Sequence, residues 1–388
     1  MTVPENKISP KAIVSLIECP DYDPERVFAA VQKGIGLLGG IGRFMSATDK
    51  ILLKPNVLTG AAPEKAVTTH PALLKAMALL CRQSGARVSF GDSPGWGNPQ
   101  TMAAKAGLEK VARKIGLEHA DFNTPVTVSF HEALIAKQLI LAKGALEADG
   151  IISLAKMKTH GFMRITGAVK NQFGCVPGLR KGEFHVKMPS AEHFAAMLVD
   201  INRYLRPRLY VMDGIVAMEG NGPGSGTPRQ MNVLLFSSDP VALDAVFCRL
   251  IHLSPEYVPT MKPGLESGLG TYRDDEIQIC GDDIAPLIRR DFKVVRQPAV
   301  TMDRSFPYYL KNLITPRPFI DYDLCSNCGV CISVCPLEPK AVRRDNDRKE
   351  TKPGYDYRRC IRCYCCQELC PSGAIAIKTP LLGKIIHR

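Results

Sequence analysis

Eight of the fourteen cysteines stand in two copies of one spacing, which is the strongest chemical signal in the chain. Each copy has three cysteines at intervals of three residues, a fourth cysteine four residues later, and a proline directly after it. The two runs are Cys325, Cys328, Cys331 and Cys335, and Cys360, Cys363, Cys366 and Cys370. This spacing is typical of cysteines that bind 4Fe-4S clusters, in which the fourth cysteine of each run ligates the cluster of the other run.

The spacing therefore predicts two 4Fe-4S clusters with crossed ligands. We expect cluster one on Cys325, Cys328, Cys331 and Cys370, and cluster two on Cys360, Cys363, Cys366 and Cys335. Cys365 lies out of phase inside the second run and is expected to be a spare thiol beside the cluster. A zinc site would use two pairs of cysteines, and would explain neither the third cysteine nor the proline. A disulfide framework is typical of short secreted chains, whereas this chain has 388 residues and no apparent signal peptide.

The length and composition suit a globular protein of two or three domains, since 45% of the residues are hydrophobic and 23% are charged. No apolar run reaches the length of a membrane span, so we expect a cytoplasmic location and no membrane partner. The net charge of +12 would suit nucleic acid, but the basic residues are scattered and not interleaved with aromatic residues. We therefore expect no nucleic-acid partner, and attribute the excess charge to the negative clusters and to an anionic small-molecule ligand.

Outside the cysteine runs, short apolar segments alternate with segments of helical period. This alternation predicts an α/β fold, with a largely parallel sheet and helices on both of its faces. The predicted strands are 11–17, 51–53, 87–90, 150–154, 209–212 and 233–236. The predicted helices are 24–38, 71–84, 102–115, 191–205 and 240–252.

Polar and ionisable residues directly follow several of these strands. Because ligands bind at the carboxyl ends of the strands in open α/β sheets, these residues are candidates for binding a substrate or cofactor. The candidates are Lys54, Asn56, Asp92, Ser93, Lys156, Lys158, Asn171 and Glu219. The alternative is that such residues only cap the next helix, which applies best to Ser237, Asp239 and Pro240.

Residues 156–187 hold the densest group of basic side chains, interrupted by glycines. This pattern favours a flexible loop that binds carboxylate or phosphate, and the alternative is a solvated surface loop. Lys170, packed among other cations, would have a depressed pKa and act as a general base or a nucleophile. The candidate catalytic residues are Lys170, His160, His185 and Asp213. The glycines and proline of residues 222–226 predict a mobile lid over the same edge.

The two cysteine runs and their flanking segments form an internal duplication, which resembles the two-cluster ferredoxin fold over residues 316–388. Residues 286–315 contain several prolines and predict an extended linker along the surface. Residues 1–285 would then form the α/β domain that holds the substrate or cofactor. We expect the clusters to dock near its ligand-binding edge, because electrons need a short path.

The larger part of the chain resembles the family called domain of unknown function three-sixty-two, over roughly residues 12–255. The segments that carry this resemblance are 54–56, 91–94, 156–160, 167–174, 213–215, 219–220 and 239–240, together with Asp244. The family is described as iron–sulfur protein and has no settled reaction. The resemblance therefore implies iron–sulfur binding and leaves the substrate open.

A more distant resemblance is to the lactate racemases that use a nickel-pincer nucleotide. The similar residues are His160, Gly167, Lys170, Pro177, Gly178 and His185. Ala168 and Val169 depart from the pattern of that group, which has a Gly-Arg step there. This resemblance implies an additional organic cofactor or metal near residues 156–187.

Together these observations predict an iron–sulfur oxidoreductase that passes single electrons through two 4Fe-4S clusters to a substrate or cofactor at the α/β domain. A redox partner protein would exchange the electrons with it. Two alternatives stay open: a non-enzymatic, ferredoxin-like electron carrier, and a nickel-pincer-like or other cofactor-handling protein. An enzyme should have a closed pocket at the strand edge, a carrier should have none, and a cofactor-handling protein should retain a second chromophore.

Overall fold

The computed structural model describes residues 11–178, 180–299, 308–344 and 352–386. The strands are β1 Ala12–Glu18, β2 Lys50–Lys54, β3 Arg87–Phe90, β4 Glu118–His119, β5 Pro125–Ser129, β6 Gln138–Ala142, β7 Gly150–His160, β8 Arg164–Thr166, β9 Leu209–Glu219, β10 Thr227–Ser237, β11 Ile277–Gly281, β12 Arg317–Ile320, β13 Val342–Arg344, β14 Pro353–Tyr355 and β15 Ile375–Lys378. The helices are α1 Pro24–Gly36, α2 Pro71–Gln83, α3 Pro99–Lys105, α4 Leu108–Lys114, α5 Lys143–Leu146, α6 Ala168–Asn171, α7 Arg180–Lys187, α8 Ala191–Leu205, α9 Pro240–Leu250, α10 Met261–Glu266, α11 Tyr308–Ile314, α12 Val330–Ser333, α13 Cys365–Glu368 and α14 Leu381–Ile386.

One mixed sheet organises the larger domain. Its strands lie in the order β11-β1-β10-β9-β7-β2-β3-β4, and β8 pairs with the end of β7. Most neighbours are parallel, whereas β10 is antiparallel to both β1 and β9, and β8 is antiparallel to β7. The predicted α/β fold with a largely parallel sheet is therefore confirmed.

Helices cover both faces of this sheet because its strands are apolar on both sides. Along β2, Leu52 packs into one core, while Ile51 and Leu53 pack into the other. The first core takes Leu198 from α8, and the second takes Val31 from α1. Such burial on both faces produces continuous apolar runs in the sequence and hides the alternation of a half-exposed strand.

Several helices begin with a capping residue followed by proline, as the sequence indicates. The side chains of Asp23, Asn98 and Asp239 accept hydrogen bonds from backbone amides in the first turns of α1, α3 and α9. Each is followed by a proline, whose missing amide proton costs nothing at the first position of a helix. The capping interpretation of Asp239 and Pro240 is thus confirmed.

Some elements differ in length from the prediction. Strand β7 continues to His160, and Lys156 and Lys158 are buried within it, so a flexible loop is wrong for this part of residues 156–187. The helix predicted at 102–115 is two helices, because Gly107 takes a left-handed conformation with a φ of 76° between α3 and α4.

The connection between the domains packs against the larger domain where the structure describes it. Phe292 is fully buried in the core, and the Arg296 guanidinium donates to the carbonyl oxygens of Ile251 and His252. Helix α11 occupies the end of the predicted linker, and residues 300–307 lie outside the described residues. The domain boundaries at 285 and 315 stay predictions.

The cysteine-rich domain is small and visibly duplicated. Strand β12 pairs with β15, and β13 pairs with β14, both antiparallel. Asn327 in the first repeat and Arg362 in the second share a left-handed turn, with φ values of 54° and 63°. Gly329 and Tyr364 share another directly before α12 and α13, with φ values of 75° and 61°. The repeated sequence therefore folds twice into the same local backbone.

Candidate functional site

The eight cysteines of the two runs surround two small cavities of about 20 Å³ each. Cys325, Cys328, Cys331 and Cys370 line the first cysteine cavity. Cys335, Cys360, Cys363 and Cys366 line the second cysteine cavity, with Cys365 beside them. Each cavity thus combines three cysteines of one run with the fourth cysteine of the other, in the crossed arrangement expected from the spacing.

The chemistry of these cavities suits a 4Fe-4S cubane. All eight cysteines are free thiols. Among the described residues, no three His, Cys, Asp or Glu side chains are close enough to share one metal ion. A cubane does not require such convergence, because each of its four cysteines binds a different iron atom.

Hydrogen bonds reach the sulfur atoms of the second cysteine cavity. The Tyr355 hydroxyl donates to Cys366 Sγ at 3.2 Å, and the backbone amide of Ala341 donates to Cys335 Sγ at 3.4 Å. Hydrogen bonds to ligand sulfurs stabilise the more negative, reduced form of a cluster and raise its potential.

The two cysteine cavities differ in their exposure. Cys328 of the first is exposed to solvent. The cysteines of the second are buried or half-buried. Cys335, which is one of these four, and Cys365, which lies beside them, also line a larger cavity against the α/β domain. The second cysteine cavity therefore adjoins the interior of the protein, and the first adjoins solvent.

The loop that precedes β10 holds the two domains together. The Gln367 amide donates to Asn221 Oδ1 at 2.8 Å and to the carbonyl oxygen of Gly222 at 3.1 Å. Asn221 donates in turn to the carbonyl oxygen of Ile375 at 2.9 Å. A Cβ atom at Gly224 would lie 2.3 Å from the carbonyl oxygen of Glu368, so only glycine allows this approach. Residues 222–226 therefore pack against the cysteine domain, and their role as a mobile lid stays a prediction.

A contact between a histidine and a carboxylate joins the domains at the end of β7. His160 Nε2 lies 2.9 Å from Glu368 Oε1, with the histidine side chain 1% exposed. His160 Nδ1 accepts from the backbone amides of Phe162 and Met163, at 3.0 and 3.1 Å, so Nε2 carries the proton. Burial lowers the pKa of His160 to about 4, so the ring is neutral at pH 7 and the contact is not an ion pair at that pH. Burial alone would raise the pKa of Glu368, but His160 and Lys170 together hold it below its usual value.

A cavity of about 250 Å³, here called the interdomain cavity, lies between the carboxyl edge of the sheet and the cysteine domain. The larger domain contributes Asn56, Leu58, Asp92, Ser93, Lys170, Asn171, Phe173, Lys181 and His185 to its wall, among others. The cysteine domain contributes Val334, Cys335, Pro336, Lys340, Cys365, Glu368 and Leu369. A closed pocket at the strand edge is what the enzyme interpretation requires.

Lys170 is positioned by the start of helix α6. The Asp244 carboxylate accepts from the backbone amides of Ala168 and Val169, at 2.6 and 3.2 Å, and so caps this short helix from α9. A Cβ atom at Gly167 would lie 1.9 Å from Asp244 Oδ1, which explains the glycine before the helix. Burial lowers the pKa of Lys170 and Glu368 partly opposes this effect, so the direction is the one expected but desolvation, and not neighbouring cations, is its main cause.

Behind the cavity wall, Lys54 and Asp92 form a fully buried ion pair with an Nζ–Oδ1 distance of 2.7 Å. Lys54 also donates to Asn171 Oδ1 at 3.1 Å, and Asp92 Oδ2 accepts from the backbone amide of Val57 at 2.7 Å. A Cβ atom at Gly174 would lie 1.9 Å from Asp92 Oδ1, so this wall tolerates only glycine there.

Lys158 supports the same wall from behind. Its ammonium donates to Asn56 Oδ1 at 2.8 Å and to the carbonyl oxygen of Val67 at 2.7 Å. Asn56 then donates to Asn171 Oδ1 at 3.1 Å, and Asn171 donates to Ser153 Oγ at 2.9 Å. Burial, helped by Lys170, holds the pKa of Lys158 well below its usual value.

Lys156 and Asp213 lie together in a different group. Asp213 accepts from Lys156 Nζ at 2.9 Å, from the Tyr22 hydroxyl at 2.7 Å and from the backbone amide of His70 at 2.9 Å. The Tyr22 ring stacks on the His70 ring at 3.6 Å between centroids. Both oxygens of Asp213 are therefore occupied, and this group does not contribute to the described wall of the interdomain cavity.

The sequence candidates thus fall into three sets. Lys170, His185, Asn56, Asp92, Ser93 and Asn171 line the cavity. Lys54, Lys158 and His160 each lie one contact behind it, through Asp92, Asn56 and Glu368 respectively. Lys156, Asp213 and Glu219 lie elsewhere, and Glu219 accepts from the backbone amide of Lys293 at 3.0 Å. The catalytic and binding roles of all these residues stay predictions.

Sequence reasoning missed part of the cavity wall. Lys181 lies on α7 in this wall, and burial lowers its pKa to about 7. In the sequence it is one of many basic residues in 156–187, and nothing singles it out as a cavity residue. Glu368, Leu369 and Val334 also line the cavity. In the sequence they lie between cysteine ligands, which predicts only that they surround a cluster. Their contact with the larger domain depends on how the domains dock, for which one sequence carries no signal.

Comparisons with known proteins agree with this arrangement. The model of a family described as Domain of unknown function (DUF362) matches residues 51–249, about half of the chain, and that of a 4Fe-4S dicluster domain matches residues 324–374. A thylakoid-associated protein of Synechocystis sp., sll1697, is 35% identical over 257 residues, which are 66% of this chain and 79% of that protein. The chain belongs to the DUF362 family. This DUF362 protein also has the iron–sulfur domain that its cysteine spacing predicts.

Two solved structures share less with the DUF362 chain. The lactate racemase apoprotein from Thermoanaerobacterium thermosaccharolyticum is 13% identical, with a TM-score of 0.40, and the match covers 63% of this chain and 58% of that one. A protein from Thermotoga maritima is 11% identical, with a TM-score of 0.33, and the match covers 55% of each chain. The chain therefore spans less than two thirds of either structure. In the described parts of the chain, no helix has the length and apolar character that crossing a bilayer requires.

Proposed function

We propose that this DUF362 protein is an iron–sulfur oxidoreductase that passes single electrons through two 4Fe-4S clusters to a substrate or cofactor in the interdomain cavity. One observation carries the proposal: the second cysteine cavity and the interdomain cavity share Cys335 and Cys365. A cluster held in the second cysteine cavity would therefore adjoin whatever the interdomain cavity holds.

We assign cluster one to Cys325, Cys328, Cys331 and Cys370, and cluster two to Cys360, Cys363, Cys366 and Cys335. When bound, such clusters accept and donate one electron at a time. The chain's own part is to hold the sulfurs and to tune them, through the hydrogen bonds from Tyr355 and Ala341.

The α/β domain would supply the protons that accompany electrons. Lys170 lines the cavity with a pKa lowered by burial, which suits an acid or base that works near neutral pH. His185 lines it as well, and burial lowers its pKa to about 4, so the ring is neutral at pH 7. His160 does not line the cavity itself and acts through Glu368, which it orients in the cavity wall.

The exposed side of the cysteine domain would meet a redox partner protein. Cys328 is the exposed cysteine of the first cysteine cavity, so cluster one is the expected entry or exit point for electrons. The many reduced thiols favour the cytoplasm, where disulfides are rare. The relative sll1697 is named for its association with thylakoids, and a partner bound to a membrane would suit this exposed side.

The first test is the metal content of variants with single cysteines removed. Anaerobic reconstitution with iron and sulfide should give about eight irons per chain, and a paramagnetic signal after reduction. Cys328→Ser and Cys363→Ser should each keep about half of this iron, because each removes a ligand of a different cluster. Cys365→Ser is the matched control and should keep all of it. Retention of zinc, or equal losses in all three variants, would contradict the proposal.

The carrier alternative rests on the exposed Cys328, which a simple electron carrier would also need. A carrier makes no use of the interdomain cavity. A carrier with methionine in place of Lys170 would then still exchange electrons with its partners, whereas an oxidoreductase would lose turnover of its substrate.

A further inference from the structure

The interdomain cavity has two buried carboxylates in its wall, each with a close neighbour. Among the described residues, Asp92 pairs with Lys54 at 2.7 Å, and Glu368 lies 2.9 Å from His160. Glu183, at the rim, is exposed and lies 3.9 Å from Arg180. The charge of Asp92 is therefore matched from outside the cavity, whereas the ring beside Glu368 is neutral at pH 7 and the charge of Lys170 helps to lower the pKa of Glu368.

Two lysines in the same wall lack a carboxylate at ion-pair distance among the described residues. Lys170 forms no ion pair or hydrogen bond there, although Glu368 acts on its charge from farther away, and its ammonium lies 5.9 Å from the centroid of the Phe173 ring. Lys181 donates only to backbone carbonyl oxygens, those of Pro94 and Val176. Both ammonium groups lose hydration on burial, and lysines without an ion-pair partner in a cavity wall favour an anion.

A third group in the wall has an unused nitrogen. His185 is 4% exposed, and its Nδ1 is buried without a hydrogen-bond partner among the described residues. The ring is fixed by stacking on Phe194, with centroids 4.3 Å apart and planes 11° apart. A buried polar atom without a partner costs free energy unless a ligand or water satisfies it.

The opposite wall, from the cysteine domain, combines an apolar patch with the charged side chains of Lys340 and Glu368. Val334, Pro336 and Leu369 form the patch beside Cys335 and Cys365. The free volume of about 250 Å³ is below the range typical of drug-sized ligands. The cavity thus offers lysines on one side, an apolar patch next to the cysteine ligands on the other, and room for a small molecule.

We infer that the interdomain cavity binds a small organic carboxylate. Its charged end lies among Lys170, Lys181 and His185, and its apolar body faces Val334 and Leu369 beside the second cysteine cavity. This inference deepens the proposed function, because the reducible part of such a ligand would face cluster two. Binding itself needs no electrons, so it is tested separately from electron transfer.

The competing explanation is that Lys170 and Lys181 only balance the negative charge of a cluster in the second cysteine cavity. That explanation predicts no carboxylate binding by the wild-type protein. The two accounts therefore differ before any residue is changed.

The test uses the oxidised, cluster-loaded protein and isothermal titration with propionate, butyrate and benzoate, each beside its neutral amide. Carboxylates should bind with dissociation constants on the order of millimolar, as small fragments do, and the amides should not bind measurably. Lys170→Met should weaken binding about tenfold or more, since it removes a charge-assisted hydrogen bond. Lys170→Arg, which keeps the charge, should retain most of the affinity.

Lys187→Met is the matched control, because Lys187 lies on the same helix as Lys181 and His185 but is exposed. It should bind carboxylates as the wild type does, and its full cluster content would show that the domain is intact. Binding of inorganic phosphate without carboxylates would overturn the ligand class. No binding of any of these anions, or equal losses in Lys170→Met and Lys187→Met, would overturn the inference while leaving electron transfer untouched.

Discussion

The two cysteine repeats share their ligand spacing and local backbone, but they differ at the positions that meet the α/β domain. Aligned on their cysteines, Val330, Ile332 and Ser333 of the first repeat correspond to Cys365, Gln367 and Glu368 of the second. Gln367 makes the hydrogen bonds, and Glu368 the contact with His160, that join the domains. Ser333, the counterpart of Glu368, has an exposed side chain at the rim of the interdomain cavity.

The same comparison applies to the residues just before each run. Ile320 lines the first cysteine cavity with an apolar side chain, whereas its counterpart Tyr355 lines the second and donates to Cys366 Sγ. One repeat thus keeps an exposed cysteine, and the other gains polar contacts to the interior and a tyrosine hydroxyl at one of its sulfurs. The two repeats therefore provide an outer and an inner site, which is the arrangement that the proposed electron transfer would use.

The largest expected effect concerns the contact between His160 and Glu368, which only the second repeat makes. His160→Phe removes the imidazole from beside the buried Glu368 carboxylate. We expect a loss of about 3 kcal/mol in the free energy of unfolding, because a buried charged group that loses a polar partner is costly. Urea unfolding of the cluster-loaded protein would measure it.

Ser333→Ala, at the corresponding position of the first repeat, is the control and should change stability by less than about 0.5 kcal/mol. Adding Glu368→Gln to His160→Phe should restore part of the loss, since it removes the buried charge. Equal stability of His160→Phe and the wild type would mean that the contact between His160 and Glu368 does not hold the inner repeat in place.

The pH dependence of stability should separate the interior edge from the outer repeat. The pKa of His185 is lowered by burial to about 4 in the folded protein, against about 6.5 in the unfolded chain. Between these values the unfolded chain binds a proton that the folded protein does not, so stability is full above pH 6.5 and falls on acidification. Titration of His185 alone should lower the free energy of unfolding by about 2 kcal/mol between pH 7 and pH 5.

His185→Phe keeps the stacking on Phe194 and removes the titrating group, so its stability should fall less over the same pH interval. Thermal unfolding of both proteins at pH 7 and pH 5 measures the difference. An identical decrease in both proteins would show that His185 does not titrate in this range.

The smallest expected effect is on cluster potential. Tyr355→Phe removes one hydrogen bond to Cys366 Sγ and should lower the potential of cluster two by roughly 20–60 mV, the one-electron equivalent of about 0.5–1.5 kcal/mol. Tyr322→Phe is the control, because the hydroxyl of Tyr322 donates to the carbonyl oxygen of Pro353 and not to a sulfur. A redox titration followed by electron paramagnetic resonance would compare them, and equal shifts in both variants would refute the assignment of Tyr355.

Much of the fold follows from local sequence. The apolar runs locate the strands, and capping residues followed by proline locate the starts of α1 and α9. The cysteine spacing is specific enough to anticipate which four thiols surround each cavity. These features depend on neighbours along the chain, so one sequence carries them.

The rest depends on how distant elements pack. Lys156 and Lys158 alternate with apolar residues at the end of β7, and their spacing does not reveal that the first meets Asp213 and the second Asn56. Glycines that read as flexible, such as Gly167 and Gly224, are instead places where backbone or side chains approach too closely for a Cβ atom. The role of Glu368 follows only from the docking of two domains.

The central claim is that the inner cluster, and not the outer one, is coupled to the interdomain cavity. Redox titration of Lys170→Met by electron paramagnetic resonance tests it directly, because removing this cation should lower the potential of a nearby cluster. We predict a shift in one of the two couples, the same one that Tyr355→Phe lowers. Equal shifts in both couples, no shift, or a shift only in the couple that Tyr355→Phe leaves unchanged would contradict the account.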